Sequence, residues 1–193
     1  GGDAMNTVLR SRVIAGDPPG MTILKGPVVT EWANEGALAD LEDVAARDNW
    51  DEILPPLLAE IVKVDGVYSA VPTDIHRVDW MWINPDLLAQ VDGEVPTTWE
   101  EFNTLADKLL AAGITPLAHG GQPWQDATVF ENVALGLGGP DFFREAFVDM
   151  NPDALQGETM IAVFDQMRLM RSYVDPNFAG RDWNLATTMV MNG

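Results

Sequence analysis

The strongest constraint on the fold is the alternation of short apolar runs with stretches of helical periodicity. Met21–Leu24 is an apolar run of strand length bounded by glycine and proline, and Ile114–Ala118 is a second that follows a helical stretch. Short runs of this kind are typical of buried strands, whereas apolar residues repeated every three or four positions indicate amphipathic helices. The alternation predicts an α/β architecture of packed layers in which helices outnumber strands.

Capping and turn residues predict where several of these elements begin and end. Thr98-Trp99-Glu100-Glu101 is a capping box that predicts the start of a helix ending at Gly113. Asn84-Pro85 predicts the start of a short helix, and Asp65-Gly66 between two apolar runs predicts a β-hairpin. Residues 119–124 are expected to form a loop. Further helices are expected at about 4–15, 30–34, 51–61, 128–137, 141–148, 159–173 and 184–192.

Composition excludes several classes of partner. The chain has 193 residues, 47% of them apolar, and a net charge of −19 from 11 Lys and Arg against 30 Asp and Glu. This length suits one domain or two small ones with a real core, and the apolar content excludes a disordered acidic tail. Because the negative charge repels phosphate, we expect no nucleic-acid partner. The sequence has no apolar window of about 18 residues, so we expect no membrane insertion.

The sequence also lacks the motifs of a reaction centre. It contains no Cys, which excludes thiolate metal sites, disulfides and a cysteine nucleophile. His76 and His119 are far apart with no metal-ligand spacing, and no calcium-binding loop is present, so we expect no metal and no cofactor. Gly120-Gly121 is not part of a phosphate-binding loop, and a Gly-x-Ser-x-Gly motif is absent. We therefore expect a protein that is not an enzyme.

Polar and aromatic residues at predicted strand ends and loops are the remaining candidates for function. Lys25 ends the first apolar run, and ligands of open α/β sheets bind at the carboxyl ends of strands. The full set of candidates is Lys25, His76, Gln122, Trp124 and Trp183. Each also has a structural interpretation, as an exposed lysine, a satisfied histidine or amide, or a core tryptophan. The other tryptophans are expected mainly to pack in the core: Trp32, Trp50, Trp80, Trp82 and Trp99.

This mixture of side chains suits a sugar. A pyranose has a face of C–H groups that stacks on an indole, and a rim of hydroxyls that both donate and accept hydrogen bonds. Amide, imidazole and ammonium groups pair with that rim, and the charged ones form the stronger bonds. A site that pairs every hydroxyl rejects an epimer, because a buried polar group left unpaired costs about 1–3 kcal/mol.

Seven short motifs follow one another in a recognisable order along nearly the whole chain: Ala15–Gly20, Ile23–Pro27, Ala70–Pro72, Trp82–Pro85, Pro96–Phe102, His119–Gln125 and Gly180–Asn184. Their order resembles the sugar-specific extracellular solute-binding proteins of bacterial ABC importers, and within them the glucose-binding branch. The resemblance implies a periplasmic-binding-protein-like α/β fold of type II, with two lobes that close on one sugar. It also implies that this sequence is an incomplete interior portion of a longer protein. The portion lacks the family's N-terminal strand, its C-terminal part and any export signal.

The resemblance also implies domain limits and residue roles. Residues 1–76 would be part of the N-terminal lobe and residues 77–193 part of the C-terminal lobe, with the first crossover near residues 75–79. Lys25 matches a strand-end position that hydrogen-bonds sugar hydroxyls, and His76 matches a polar position of the crossover. Trp183 matches an indole that sandwiches the pyranose, whereas Gln122 and Trp124 match a second-lobe loop that contacts sugar.

These observations predict a monomeric protein, periplasmic or lipid-anchored outside the cytoplasm, that passes a glucose-like hexose to an ABC permease. One alternative is the same fold with an oligosaccharide or polyol ligand, although a long oligosaccharide cleft is expected to carry more exposed aromatic residues. The other is an acidic carbohydrate-active enzyme with two carboxylates about 5–10 Å apart. The enzyme is disfavoured because no isolated acidic pair lies at predicted strand ends in an apolar neighbourhood.

Overall fold

Residues 2–73 and 80–193 are described by a computed structural model, in which the chain divides into two units, residues 1–76 and 77–193. The described residues of the first unit, 2–73, form five helices and a hairpin: α1 (Gly2–Ile14), α2 (Val28–Asn34), α3 (Glu42–Arg47), α4 (Trp50–Ile53), α5 (Pro56–Val62), β1 (Lys63–Val64) and β2 (Val67–Tyr68). The strands are antiparallel, with Val64 opposite Val67. Asp65 and Gly66 both have positive φ, 50° and 83°, as a two-residue hairpin turn of this twist requires, so the predicted hairpin is confirmed.

The core of the first unit is a small cluster around two aromatic rings. Trp50 and Tyr68 are both buried and meet edge to face with ring centroids 5.2 Å apart. Ala45 and Val62 complete the buried cluster. The Tyr68 hydroxyl donates a hydrogen bond of 2.8 Å to Asp51, which satisfies the polar end of the ring. This cluster ties the hairpin to the short helices that precede it.

The second unit is built from helices that pack on one larger core. They are α6 (Pro85–Gln90), α7 (Trp99–Ala111), α8 (Pro123–Phe147), α9 (Pro152–Gln156), α10 (Glu158–Tyr173) and α11 (Trp183–Asn192). Helices α8 and α10 supply the buried residues, among them Val133, Ala134, Val163 and Met170. Helix α8 is kinked at Gly139, whose φ of 75° lies outside the helical region. In the described ranges, no helix combines the length and apolar character needed to cross a membrane.

Two strand predictions and one packing prediction are wrong within the described residues. Met21–Leu24 forms no strand, and Met21 and Ile23 are 93% and 68% exposed. Ile114–Ala118 contributes an isolated bridge at Leu117 in place of a strand. Trp80 and Trp82, expected to pack, are 60% and 76% exposed. A strand is completed by the hydrogen bonds of a neighbouring strand. Among the described residues, Met21–Leu24 pairs with no strand, and Ile114–Ala118 pairs only through the single bridge from Leu117 to Val174.

Helix predictions that rest on local signals are closer to the structure. Helix α6 begins after Asn84, which caps it, and α7 begins with the predicted capping box at Thr98. The helix expected at 51–61 is instead divided between α4 and α5, because Pro55 forces Leu54 into an extended conformation. The helix expected to be capped by Thr30 begins earlier, directly after Pro27.

Candidate functional site

Two connections of the second unit run side by side and bring two helix starts together. The first, residues 117–122, precedes α8, and the second, residues 174–182, precedes α11. They form parallel bridges that pair Leu117 with Val174 and Gly121 with Ala179. The Gly121 N–H donates a hydrogen bond of 3.1 Å to the carbonyl of Arg181. Segments far apart in the sequence therefore meet at the first turns of α8 and α11.

The close approach of these connections requires glycine. A Cβ atom on Gly121 would lie 2.1 Å from the Phe178 carbonyl oxygen and 2.7 Å from the Ala179 Cα. A Cβ atom on Gly120 would lie 1.7 Å from the Gln125 Oε1. The glycine pair, which sequence reasoning placed in a loop without assigning it a role, thus lets one backbone pack against the other.

An ion pair within the second connection holds an arginine that also hydrogen-bonds the first connection. The Arg181 guanidinium donates two hydrogen bonds of 2.7 Å to the Asp175 carboxylate and one of 3.1 Å to the His119 carbonyl. The two side chains are only 12% and 16% exposed. The hydrogen bonds from Arg181 hold the pKa of Asp175 below its ordinary value and raise the pKa of Arg181. A paired, largely buried guanidinium of this kind fixes the backbone on both sides.

A network of side-chain amides connects the two helix starts. The Gln122 Oε1 accepts hydrogen bonds from the Trp124 indole N–H at 2.9 Å and from Gln125 Nε2 at 3.0 Å. The Gln122 Nε2 donates to Asp182 Oδ1 at 2.5 Å. Gln125, which is 7% exposed, also donates to the Arg181 carbonyl at 3.1 Å. The orientation of the Gln122 amide is therefore set by partners from both connections.

Two exposed indoles lie at these helix starts. Trp124 is the second residue of α8 and is 54% exposed, and Trp183 is the first residue of α11 and is 58% exposed. Because the Trp124 N–H is bonded to Gln122, the ring face is the part of this side chain that remains for a ligand. The site offers aromatic faces beside an amide and a carboxylate.

The His119 side chain contacts residues of α8 and of the second connection. Its Nε2 lies 2.7 Å from Asp126 Oδ1, its side chain is 14% exposed, and its ring stacks on Phe178. The structural interpretation therefore fits this histidine. In the part of the chain that the structure describes, no group of three or more His, Asp or Glu side chains is arranged to hold a metal ion.

The structure brings some of the predicted site residues together but not all of them. Gln122 and Trp124 are in contact, and Gln122 binds the residue that precedes Trp183. Lys25 lies in the other unit, exposed at the end of the segment Met21–Leu24, where its carbonyl accepts a 3.3 Å hydrogen bond from the Val28 N–H. Within residues 2–73 and 80–193, the Lys25 ammonium has no hydrogen-bond or ion-pair partner. His76 lies outside the described residues.

Sequence reasoning missed two residues of the site, Gln125 and Asp182. Gln125 lies three residues after Gln122, so helical periodicity could have placed the two side chains on one face. The contact of Asp182 with Gln122 joins residues of separate connections, and no local pattern predicts it.

Comparison with known proteins adds to this geometry. The family model of the bacterial extracellular solute-binding protein matches residues 1–193. A "Probable sugar-binding periplasmic protein" of Brucella suis is 49% identical over 193 residues, which cover 100% of this chain and 46% of that relative. The chain thus spans about half the length of the curated relatives that it matches.

Two solved structures are also similar. One, from work on xylan utilization by the thermophilic bacterium Caldanaerobius polysaccharolyticus, has a TM-score of 0.78 and 20% identity, over 97% of this chain and 48% of that chain. The other is the bacterial solute receptor AcbH, described as having an exclusive preference for β-D-galactopyranose. It has a TM-score of 0.67 and 25% identity, over 96% of this chain and 48% of that chain. These likenesses confirm the predicted fold class, the periplasmic-binding-protein-like fold.

Proposed function

The chain belongs to the family of bacterial extracellular solute-binding proteins, and we propose that the protein binds a monosaccharide outside the cytoplasm and delivers it to an ABC transporter permease. The protein would act as a binding protein and not as an enzyme. Its location would be the periplasm, or the outer side of the cytoplasmic membrane through a lipid anchor. The name of the Brucella suis relative, which is 49% identical, supports a periplasmic sugar-binding role.

The observation that carries this proposal is the pair of exposed indoles on joined helix starts. Trp124 and Trp183 lie beside an amide and a carboxylate that are already oriented by hydrogen bonds. Large exposed aromatic side chains on a rigid support are typical of ligand sites, because burying the ring against a ligand stabilises the complex without ordering a flexible chain. An aromatic face next to hydrogen-bonding groups matches the apolar face and hydroxyl rim of a pyranose.

A single hexose, glucose-like in its hydroxyl pattern, is the ligand that we propose. The motif order resembles the glucose-binding branch of the family, and the fold neighbour AcbH is described as a galactopyranose receptor. Lys25 and His76 would contribute hydrogen bonds from the first lobe and the crossover. Closure of two lobes about a hinge would then complete the site and exclude water from the sugar.

The function requires binding and release without a chemical step. The indole faces would hold the C–H face of the sugar, while charged groups would pair with its hydroxyls. Opening of the lobes at the permease would remove the groups of one lobe and so lower the affinity for the sugar.

Calorimetric titration of the complete protein with glucose, galactose, mannose and maltose tests the proposal, together with chromatography of the sugars after incubation. We expect saturable binding of one hexose and unchanged sugars. Preferential binding of maltose would instead support an oligosaccharide ligand. Formation of a product, or failure to bind any of the sugars, would overturn the proposal.

The Trp183→Ala variant tests the site itself. Loss of the indole is expected to weaken hexose binding by about 1–3 kcal/mol, which is the loss typical of aromatic side chains that a bound partner buries. Phe164→Ala is the matched control, because Phe164 is a 49% exposed aromatic residue of α10 in the same unit but outside the two connections. Equal affinities of Trp183→Ala and the control would remove Trp183 from the site.

A further inference from the structure

The Asp182 carboxylate does not cap its own helix. Aspartate before the first turn of a helix normally accepts a hydrogen bond from a backbone N–H of that turn. Asp182 occupies this position in α11 but makes no such side-chain bond. Its Oδ1 instead accepts from the Gln122 amide at 2.5 Å, across to the other connection. Asp182 is exposed, and its Oδ2 has no partner among residues 2–73 and 80–193.

The Gln122 amide, by contrast, has little capacity left for a ligand. An amide oxygen has two lone pairs, and the Gln122 Oε1 already accepts from Trp124 and from Gln125. Its Nε2 has two N–H groups, and one of them donates to Asp182. The Gln122 amide is therefore hydrogen-bonded at both its oxygen and its nitrogen, whereas the Asp182 carboxylate keeps one oxygen without a partner among the described residues.

We propose that Asp182 accepts a hydrogen bond from a sugar hydroxyl in this site, and that Gln122 is a positioning residue that acts through Asp182. This inference rests on the proposed function of the protein. An ionised carboxylate accepts hydrogen bonds but donates none, so it selects a ligand that presents a hydroxyl as donor at this point. Its position directly before Trp183 brings the hydrogen-bond acceptor and the exposed indole to one helix start.

Deoxy analogues of the preferred hexose test this role in the complete protein. The preferred hexose is identified first by the titrations above, and each of its monodeoxy derivatives is then titrated. We expect one deoxy sugar to bind the unaltered protein about 10- to 100-fold more weakly, which is the loss typical of one charge-assisted hydrogen bond. In Asp182→Asn we expect weaker binding of the parent sugar and little remaining penalty for that deoxy sugar.

A matched control keeps this result interpretable. Asn has nearly the same shape as Asp and keeps an oxygen that can accept from Gln122, so Asp182→Asn is expected to unfold at the temperature of the unaltered protein. Asp141→Asn removes another exposed carboxylate of the same unit and is expected to bind the hexose as the unaltered protein does. Unchanged affinity and unchanged deoxy-sugar penalty in Asp182→Asn would overturn the role of Asp182.

The positioning role of Gln122 is tested by a double variant. Gln122→Met alone is expected to weaken binding, whereas adding it to Asp182→Asn is expected to cause no further loss, since Gln122 would act through the carboxylate. Equal losses in both backgrounds would show that Gln122 contacts the sugar itself and would overturn that part of the inference. If Trp183→Ala weakens binding but Asp182→Asn does not, this inference fails while the proposed function stands. If no sugar binds, both fail.

Discussion

The two units hold their proposed site residues in different ways. In the second unit, Gln122, Trp124 and Trp183 lie on helix starts that are joined by backbone bonds, a hydrogen bond from Arg181 to the His119 carbonyl and an amide network. In the first unit, Lys25 follows a segment in which Met21 and Ile23 are exposed, and its ammonium has no partner among the described residues. The second unit therefore presents an organised half of the proposed site, whereas the described residues of the first unit present Lys25 alone, without a supporting contact to its ammonium.

The cores of the two units account for much of this difference. The site of the second unit begins helices of that unit, and α8 runs from it into the larger core with α10. In the first unit the buried cluster lies around Trp50 and Tyr68, in the later helices and the hairpin. The segment from Met21 to Lys25 supplies no residue to that cluster. A side chain is held where its element continues into a core, which is how a site on rigid elements is preorganised.

The largest expected effect comes from comparing two bidentate Arg–Asp pairs, one in each unit. Arg181 and Asp175 are 12% and 16% exposed, and Arg181 also bonds the His119 carbonyl of the other connection, whereas Arg47 and Asp48 are 69% and 43% exposed and adjacent in sequence. We expect Arg181→Gln to lower the free energy of unfolding by about 3 kcal/mol, because it leaves a largely buried carboxylate without its cationic partner. Arg47→Gln is expected to cause no measurable loss, because solvent screens an exposed pair.

Urea unfolding of the complete protein and both variants provides the measurement. If the two substitutions destabilise the protein equally, the second-unit pair does not hold the connections as we infer. The same experiment followed by hexose titration should show weaker binding only in Arg181→Gln.

Local chemistry explains which parts of the fold could be predicted from the sequence. The hairpin turn at Asp65-Gly66, the cap at Asn84 and the capping box at Thr98 are confirmed, because each depends on residues within a few positions. The runs Met21–Leu24 and Ile114–Ala118 were predicted as strands, but a strand needs a partner that its own sequence does not specify. The resemblance of ordered motifs predicted the family and fold that these local signals could not define.

The same distinction between local features and distant contacts applies to the residues of the site. Trp124 and Trp183 could be proposed from the sequence because an indole at a loop or helix start is a local feature. The role of Asp182 could not, because its partner Gln122 belongs to a connection 60 residues away. The sequence shows a glycine at position 121, but it does not predict the close approach of Gly121 to the Phe178 backbone, which depends on the fold.

Lys25→Met tests whether the first unit contributes to the site. If Lys25 donates a charge-assisted hydrogen bond to a hydroxyl, its loss should weaken hexose binding in the complete protein by about 1.5–3 kcal/mol. Lys108→Met is the control, because Lys108 is an exposed lysine of α7 in the second unit. Calorimetric affinities that are equal for both variants would leave Lys25 outside the site and sharpen the contrast between the units.

Gly121→Ala tests the close approach of the two connections. A Cβ at this position would lie 2.1 Å from a backbone oxygen, so the connections must separate, and we expect the free energy of unfolding to fall by about 1–3 kcal/mol. Gly20→Ala in the first unit is the control, because its Cβ would meet no atom within 4 Å. Thermal or urea unfolding that gives the same stability for the two variants would contradict the packing that we describe.

The smallest expected effect is a difference in acid sensitivity. Arg181 holds the pKa of Asp175 below its ordinary value of 3.8. A carboxyl whose pKa is lower in the folded state stabilises the protein above the unfolded pKa, and this stabilisation is lost as the pH falls through the folded pKa.

The free energy of unfolding should therefore fall less between about pH 6 and about pH 3 in Arg181→Gln than in the unaltered protein. The pKa of Asp48 is also lowered, by Arg47, but that pair is exposed, so Arg47→Gln should keep nearly the pH dependence of the unaltered protein. Urea unfolding at several pH values measures both slopes. Identical slopes for the two variants would mean that the buried pair of the second unit contributes no more to acid sensitivity than its exposed counterpart, and the contrast between the units would then rest on packing alone.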